Sequence, residues 1–362
     1  MFSIRPGVVG TFSGFEVASI VDAVAHIQYV TDDAGAPVRA IEFALRVLSQ
    51  PANALLFGGV AVLGTLGLLG YLWVRPTIPD VEVLKSTLDG YRDLVPWMLR
   101  LAMGLPLVGA GFADYYFSPA VPGSPRLLLI GLGFCILFGL ATRLAAGVGL
   151  VAYLVGLAGN PAMLLAMEYV PGLLAILLVG PGRPSADHML ARILVADGTL
   201  LGRFGLVSKP MGIAESAIAP LAAYAATVAR VGLGVVFVYL GLFEKLANPG
   251  RALLVVQKYD LTAIVPVDPG AWVLGAGLAE IALGTLLIGG LLTRAVAAGA
   301  FVVFTLTMFG LPDDPVLAHV TMFGLASAVF TLGSGPLALD RVLSAAGDRP
   351  DAGDELAAGS DD

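Results

Sequence analysis

Apolar runs too long and too free of charge for a water-soluble core recur along this chain, and about 20 such residues are what an α-helix needs to cross a bilayer. They fall at residues 53–74, 95–116, 127–141, 144–159, 161–179, 221–243, 271–292, 295–311 and 315–332. Lipid offers no partner to a bare backbone, so such runs must be helices and not open strands. The 362 residues are 57% apolar and 13% charged, and the mean hydropathy is +0.88; the runs therefore dominate the chain. We expect an all-α integral membrane protein with about nine transmembrane helices. A single helix over 127–159 would be about 50 Å long against a hydrocarbon core of about 30 Å. The third and fourth runs are therefore read as two spans joined by a tight turn at Thr142 and Arg143.

Charge and ligand chemistry exclude several classes. A net charge of −7 with no clustered basic face gives nucleic acid nothing to bind. Cys135 is the only cysteine, which rules out an internal disulfide or a thiolate metal cluster. His26, His188 and His319 lie in three separate segments, so no metal site is expected and no cofactor held covalently. Any redox role must borrow its cofactor. Eleven Lys or Arg residues fall in the loops on one side of the nine spans and seven on the other, which predicts a cell-membrane protein with a cytoplasmic C-terminus.

Six segments follow. Residues 1–52 form a region before the membrane, with no cleavable signal expected in its first 14 residues and with residues 26–43 readable as a hairpin or a short helix. The first span and its linker take 53–90, a first set of four spans takes 91–190, and an interfacial linker takes 191–220; residues 184–204 mix apolar and charged side chains as a helix lying on the cytoplasmic surface would, with a soluble loop as the alternative. A second set of four spans takes 221–343, and an acidic, solvated tail takes 344–362. The segment 248–269 mixes apolar and basic residues and is expected to cover the outer end of its bundle.

The two sets align. A shift of 130 lays Arg100 on Arg230, Gly104 on Gly234, Gly111 on Gly241, Asp114 on Glu244 and Pro119 on Pro249. A shift of 151 lays Gly133, Gly139, Thr142 and Arg143 on Gly284, Gly290, Thr293 and Arg294. A shift of 153 lays Gly180, Gly182 and Asp187 on Gly333, Gly335 and Asp340. Four spans per copy make the repeats parallel, related by an axis along the membrane normal.

The second copy reads Arg230-Val-Gly-Leu-Gly, Gly241-Leu-Phe-Glu-Lys245, Asn248-Pro249, Glu280 and Gly290-Leu-Leu-Thr-Arg294. Over residues 224–343 this resembles the DoxX family of small four-helix membrane proteins. Residues 91–190 resemble a degenerate copy, with Asp114-Tyr115 in place of Glu-Lys and Leu129 in place of Glu280. The family takes its name from a membrane subunit of a quinone-linked oxidoreductase. What the resemblance implies is two tandem four-helix bundles, a quinone as the borrowed cofactor, and a soluble or membrane redox partner beside the lipid bilayer. Nothing in the chain sets an oligomeric state.

Ionisable residues within spans are the candidate site. Counted along their helices, Arg230 and Glu280 fall at similar mid-membrane depth, which predicts an Arg230–Glu280 pair and, in the first copy, an Arg100–Glu168 pair. The functional reading is a guanidinium donating to a quinone carbonyl beside a carboxyl that exchanges protons; the alternative is two buried pairs that fix helix register. Glu244, Lys245 and His319 are expected near the outer interface, with Lys245 reaching to the headgroups; the functional reading is a proton entry route through Glu244, His319 and Glu280, and the alternative is a histidine that is simply hydrogen-bonded near a helix end. Asp114 is the counterpart of Glu244. Thr142, Arg143, Thr293 and Arg294 are read as turn and topogenic residues at the cytoplasmic interface. Besides a redox subunit, two functions stay open: a scaffold for a soluble partner, and a small-molecule carrier.

Overall fold

The structure, a computed structural model, describes residues 39–74, 78–123, 125–196, 218–312 and 316–347. His26, most of the linker 191–220 and the acidic tail past residue 347 lie outside the described residues. Among those described, nine helices are apolar. Six are long enough to cross a membrane, and three shorter ones, Arg126–Phe138, Tyr169–Val179 and Val316–Leu332, occupy the third, fifth and ninth predicted spans. The protein is an all-α, multi-pass integral membrane protein.

Helix α1 (Ala40–Leu48) precedes the first span, α2 (Pro51–Val74), and α3 (Pro79–Asp89) links α2 to the bundle. The first set comprises α4 (Val95–Phe112), α5 (Arg126–Phe138), α6 (Thr142–Gly159) and α7 (Tyr169–Val179). A short antiparallel hairpin, β1 (Tyr115–Tyr116) and β2 (Ser118–Pro122), joins α4 to α5. A 3-10 segment (Pro161–Ala166) precedes α7, and α8 (Ala186–Val195) follows it. The second set runs through a 3-10 entry (Ala219–Tyr224), α9 (Ala225–Tyr239), a π-helical turn (Leu240–Leu246) and the surface helix α10 (Pro249–Lys258). It continues with α11 (Pro269–Gly289), α12 (Thr293–Gly310), α13 (Val316–Leu332) and α14 (Leu339–Gly347). The fifth predicted span, 161–179, is thus broken at Met167 and Glu168.

Lipid chains are as apolar as leucine, so burial alone gives little reason for helices to associate; close packing does. A Cβ placed on Gly104 would stand 2.9 Å from the Gly133 carbonyl, and one on Gly234 would stand 2.7 Å from the Gly284 carbonyl. The absence of side chains there lets α4 lie directly against α5, and α9 against α11. Between the sets, α4 packs on α13 and α7 packs on α9. One continuous core results, holding Leu99, Met103, Ile136 and Leu173 together with Leu233, Phe237, Leu325 and Val329. A smaller core fastens Phe43 and Val47 of α1 to Leu246, Val256 and Leu274. The central window of α2 buries nothing, so this span is a lipid-facing outrigger.

Candidate functional site

At one end of the bundle the same contacts occur twice. Arg100 donates from Nε to the Ile136 carbonyl (3.1 Å), from one terminal nitrogen to Pro181 (2.5 Å) and Pro184 (2.8 Å), and from the other to Leu137 (3.1 Å). Arg230 donates from Nε to the Ser334 carbonyl (3.0 Å), and from its terminal nitrogens to Leu287, Ile288 (2.7 Å) and Leu337 (2.6 Å). The acceptors are the last carbonyls of α5 and α11 and those just past α7 and α13, where a helix leaves carbonyls without intrahelical donors and favours a cation. Asp187 accepts from the backbone N–H groups of Ala141 (2.6 Å) and Thr142 (2.8 Å) and from the Thr142 hydroxyl (2.7 Å). Asp340 does the same for Leu292 (2.8 Å), Thr293 (3.0 Å) and the Thr293 hydroxyl (2.9 Å). These carboxylates hold Ala141 (φ 47°) and Leu292 (φ 53°) in left-handed backbone that side chains rarely adopt. Arg143 and Arg294 donate to Leu177 (3.0 Å) and Phe330 (3.1 Å). Arg294 also reaches Asp89 of α3 (3.0 Å), and that hydrogen bond, with Arg92 nearby, holds the Asp89 carboxyl below the usual range.

Neither expected pair forms. Arg230 is fully buried, yet its donors go to carbonyls at this arginine end and not to Glu280. Residues 219–224 are a 3-10 entry and the helix runs on to Leu246, which sets Arg230 nearer the arginine end than its distance along the apolar run implies. Arg100 meets carbonyls beyond the C-terminus of α7, while Glu168 precedes its N-terminus, so a whole helix separates them. Thr142 and Thr293 do more than allow a turn, since both hydroxyls are tied to the acids. The sequence alignment matched Asp187 with Asp340, but their part in the network was missed.

The opposite end gathers other charges. Lys245 Nζ lies 2.7 Å from both carboxylate oxygens of Glu280, with the two side chains 18% and 12% exposed. Lys245 is therefore ion-paired within the bundle instead of reaching outward as expected. The wide π turn carries Glu244 inward beside it, and Glu244 Oε2 is buried with no hydrogen-bond partner among the described residues. π-Turns of this kind are frequent at functional sites. His319 is buried, with its ring edge-on to Phe304 of α12. Asp114, the counterpart of Glu244, is instead exposed at the head of the hairpin with φ 59°.

Glu168 stands apart from both groups. It is buried between α7 and α13, and its Oε1 lies 3.2 Å from Thr321 Oγ1. A lateral crevice of about 480 Å³ opens between α7 and α9, walled by Pro171, Leu174, Val231 and Val235. Among the described residues Thr227 is the only polar side chain on its wall, so the crevice can hold a chain but not orient a headgroup. Among the described residues no cluster of His, Cys, Asp or Glu has the makings of a metal site.

The family model for DoxX matches residues 225–313. The chain carries a DoxX domain. No curated protein and no solved structure matches it. The matched stretch of the DoxX domain runs from α9 through α12 and contains Arg230, Glu244, Lys245, Glu280, Thr293 and Arg294. Arg100, Asp114, Thr142, Arg143 and Glu168 precede it, and His319 follows it. The buried ion pair and the carboxyl with one unpartnered oxygen thus belong to the DoxX stretch.

Proposed function

We propose that this protein is a membrane redox subunit whose DoxX domain seats the headgroup of a lipophilic quinone beside Glu244, Lys245 and Glu280. The observation that carries the reading is Glu244 Oε2, buried without a partner one residue from an ammonium group that already spans both oxygens of Glu280. A buried polar atom with no partner is costly. A quinol hydroxyl would satisfy Glu244. Lysine has three donors, and with two engaged by Glu280 the third suits a quinone carbonyl. The partial exposure of Lys245 and Glu280 gives a headgroup a way in from the lipid side. In this reading the carboxyls exchange the headgroup's protons, and a soluble or membrane redox partner moves the electrons.

Arg230 supports the fold and not the headgroup, because four of its five N–H donors are committed to carbonyls. Residues 91–190 and 221–343 are, on this reading, tandem copies of one DoxX-like unit. The matched acceptors of Arg100 and Arg230 support it, as do the matched turns at Asp187 and Asp340. The arginine end then faces the cytoplasm and the protein sits in the cell membrane, in keeping with the excess of basic residues on that side.

The test is ligand content. Full-length protein extracted gently from its own membranes should carry about one quinone per chain by absorbance and mass. Glu244→Ala and Lys245→Met should each lower that by about tenfold, since a charged hydrogen bond is worth roughly 1.5–3 kcal/mol. Quinone no richer than in bulk lipid sinks the proposal. The scaffold reading would then gain, resting on the exposed Met189 and Ile193 of α8 and Leu339 and Val342 of α14 at the arginine end.

A further inference from the structure

At Thr321 one hydroxyl hydrogen stands between two acceptors. A hydroxyl has one hydrogen. Thr321 Oγ1 lies 2.9 Å from the Ala318 carbonyl and 3.2 Å from Glu168 Oε1, and can donate to only one of them. If the hydrogen takes the shorter contact, Oγ1 turns a lone pair toward Glu168 Oε1, and two acceptors face each other unless the carboxyl supplies a hydrogen. A carboxylic acid donating to Thr321, with Thr321 donating to Ala318, satisfies all three oxygens with two hydrogens.

The surroundings agree. Glu168 is 3% exposed, and its Oε2 has no hydrogen-bond partner among the described residues. It lines a cavity of about 10 Å³, the space of a single water molecule. Pro106, Tyr115, Phe117, Pro119 and Ala318 share the lining, and no cation is among the lining residues. The titratable groups that face it are tyrosines: Tyr115 and Tyr169 in the lining, and Tyr153 of α6, whose hydroxyl donates to the Met163 carbonyl (2.7 Å). The hairpin β1–β2 forms part of the cavity wall and packs on the 3-10 segment before Glu168, so the cavity lies at the hairpin end of the bundle. Glu168 also sits at the break between that segment and α7. Such breaks at membrane depth are found where the chain is buried in protein or lines a polar cavity.

We propose that Glu168 is a proton-binding site, holding a carboxylic acid proton shared with Thr321 and exchanging it with the hairpin-end solution through one water in the adjacent cavity. It is separate from the Glu244, Lys245 and Glu280 cluster and stands whether or not that cluster binds quinone. Replacement of Glu280 leaves it in place, and replacement of Glu168 leaves quinone content unchanged.

Infrared difference spectroscopy on the intact purified protein tests this directly. The wild type should show the carbonyl stretch of a protonated carboxylic acid that is missing from Glu168→Gln and moves when the buffer is changed to D₂O. Glu168→Asp should keep such a band at a shifted position, which guards against a glutamine variant that fails to fold. Wild-type and Glu168→Gln spectra that coincide in this region overturn the proton. A band that stays put in D₂O overturns the exchange.

Discussion

A guanidinium carries five N–H donors and no acceptor, and Arg230 spends its donors on the carbonyls of Leu287, Ile288, Ser334 and Leu337. Removing it would leave those helix-end acceptors unsatisfied in a buried place, at about 1–3 kcal/mol for each that finds no water. We expect Arg230→Ala to lower the thermal unfolding temperature of the detergent-solubilised protein sharply. Arg230→Lys should recover only part, because a point ammonium cannot reach acceptors spread over two helices. A Lys variant as stable as wild type would show that charge, and not the fork, is what matters. This is also where the sequence was least legible. It shows Arg230 and Glu280 as rare charges in apolar runs and invites pairing them, whereas a bond to a backbone carbonyl leaves no trace, since every residue has one. The pairing of Asp340 with Thr293 was within reach: the acid follows the threonine by 47 residues, and Asp187 follows Thr142 by 45.

Among elements, the contact of α9 with α11 depends on two glycines that face each other. A Cβ on Gly284 would stand 2.5 Å from the Gly234 carbonyl and 2.9 Å from the Val238 nitrogen, and backbone atoms cannot swing aside as a side-chain tip can. Gly284→Val should therefore force the helices apart, with a loss of about 1–3 kcal/mol or more, read as a lower unfolding temperature and a broader elution profile. Gly59→Val on α2 meets nothing within 4 Å and should be neutral. Equal effects at the two positions would argue against close helix approach as the force that joins them. The spans themselves were legible because lipid demands long apolar helices wherever the chain crosses. The break at Met167 and Glu168 was not, because the apolar run continues through it and only the burial of the broken backbone makes it tolerable.

At the scale of the whole molecule the two sets share a scaffold, down to the turn acids Asp187 and Asp340, but differ at two membrane acids. Under the shifts that superpose the sets, Glu168 falls on Thr321 and Glu280 on Leu129, so each half carries one membrane acid at a place where the other has none. The halves also share one core, with α4 on α13 and α7 on α9, and α1 of the N-terminal half is fastened to the second set through Phe43 and Val47. Neither half alone can cover those faces with its own helices. Cutting the gene between codons 197 and 217 and expressing both fragments together should therefore yield a complex that co-purifies through a tag on either one. The C-terminal fragment expressed alone should aggregate or pair with itself, because α9 and α13 would expose the faces they now bury. Fragments that elute separately as monodisperse monomers would mean that the halves fold independently and that the shared core is not what holds either together.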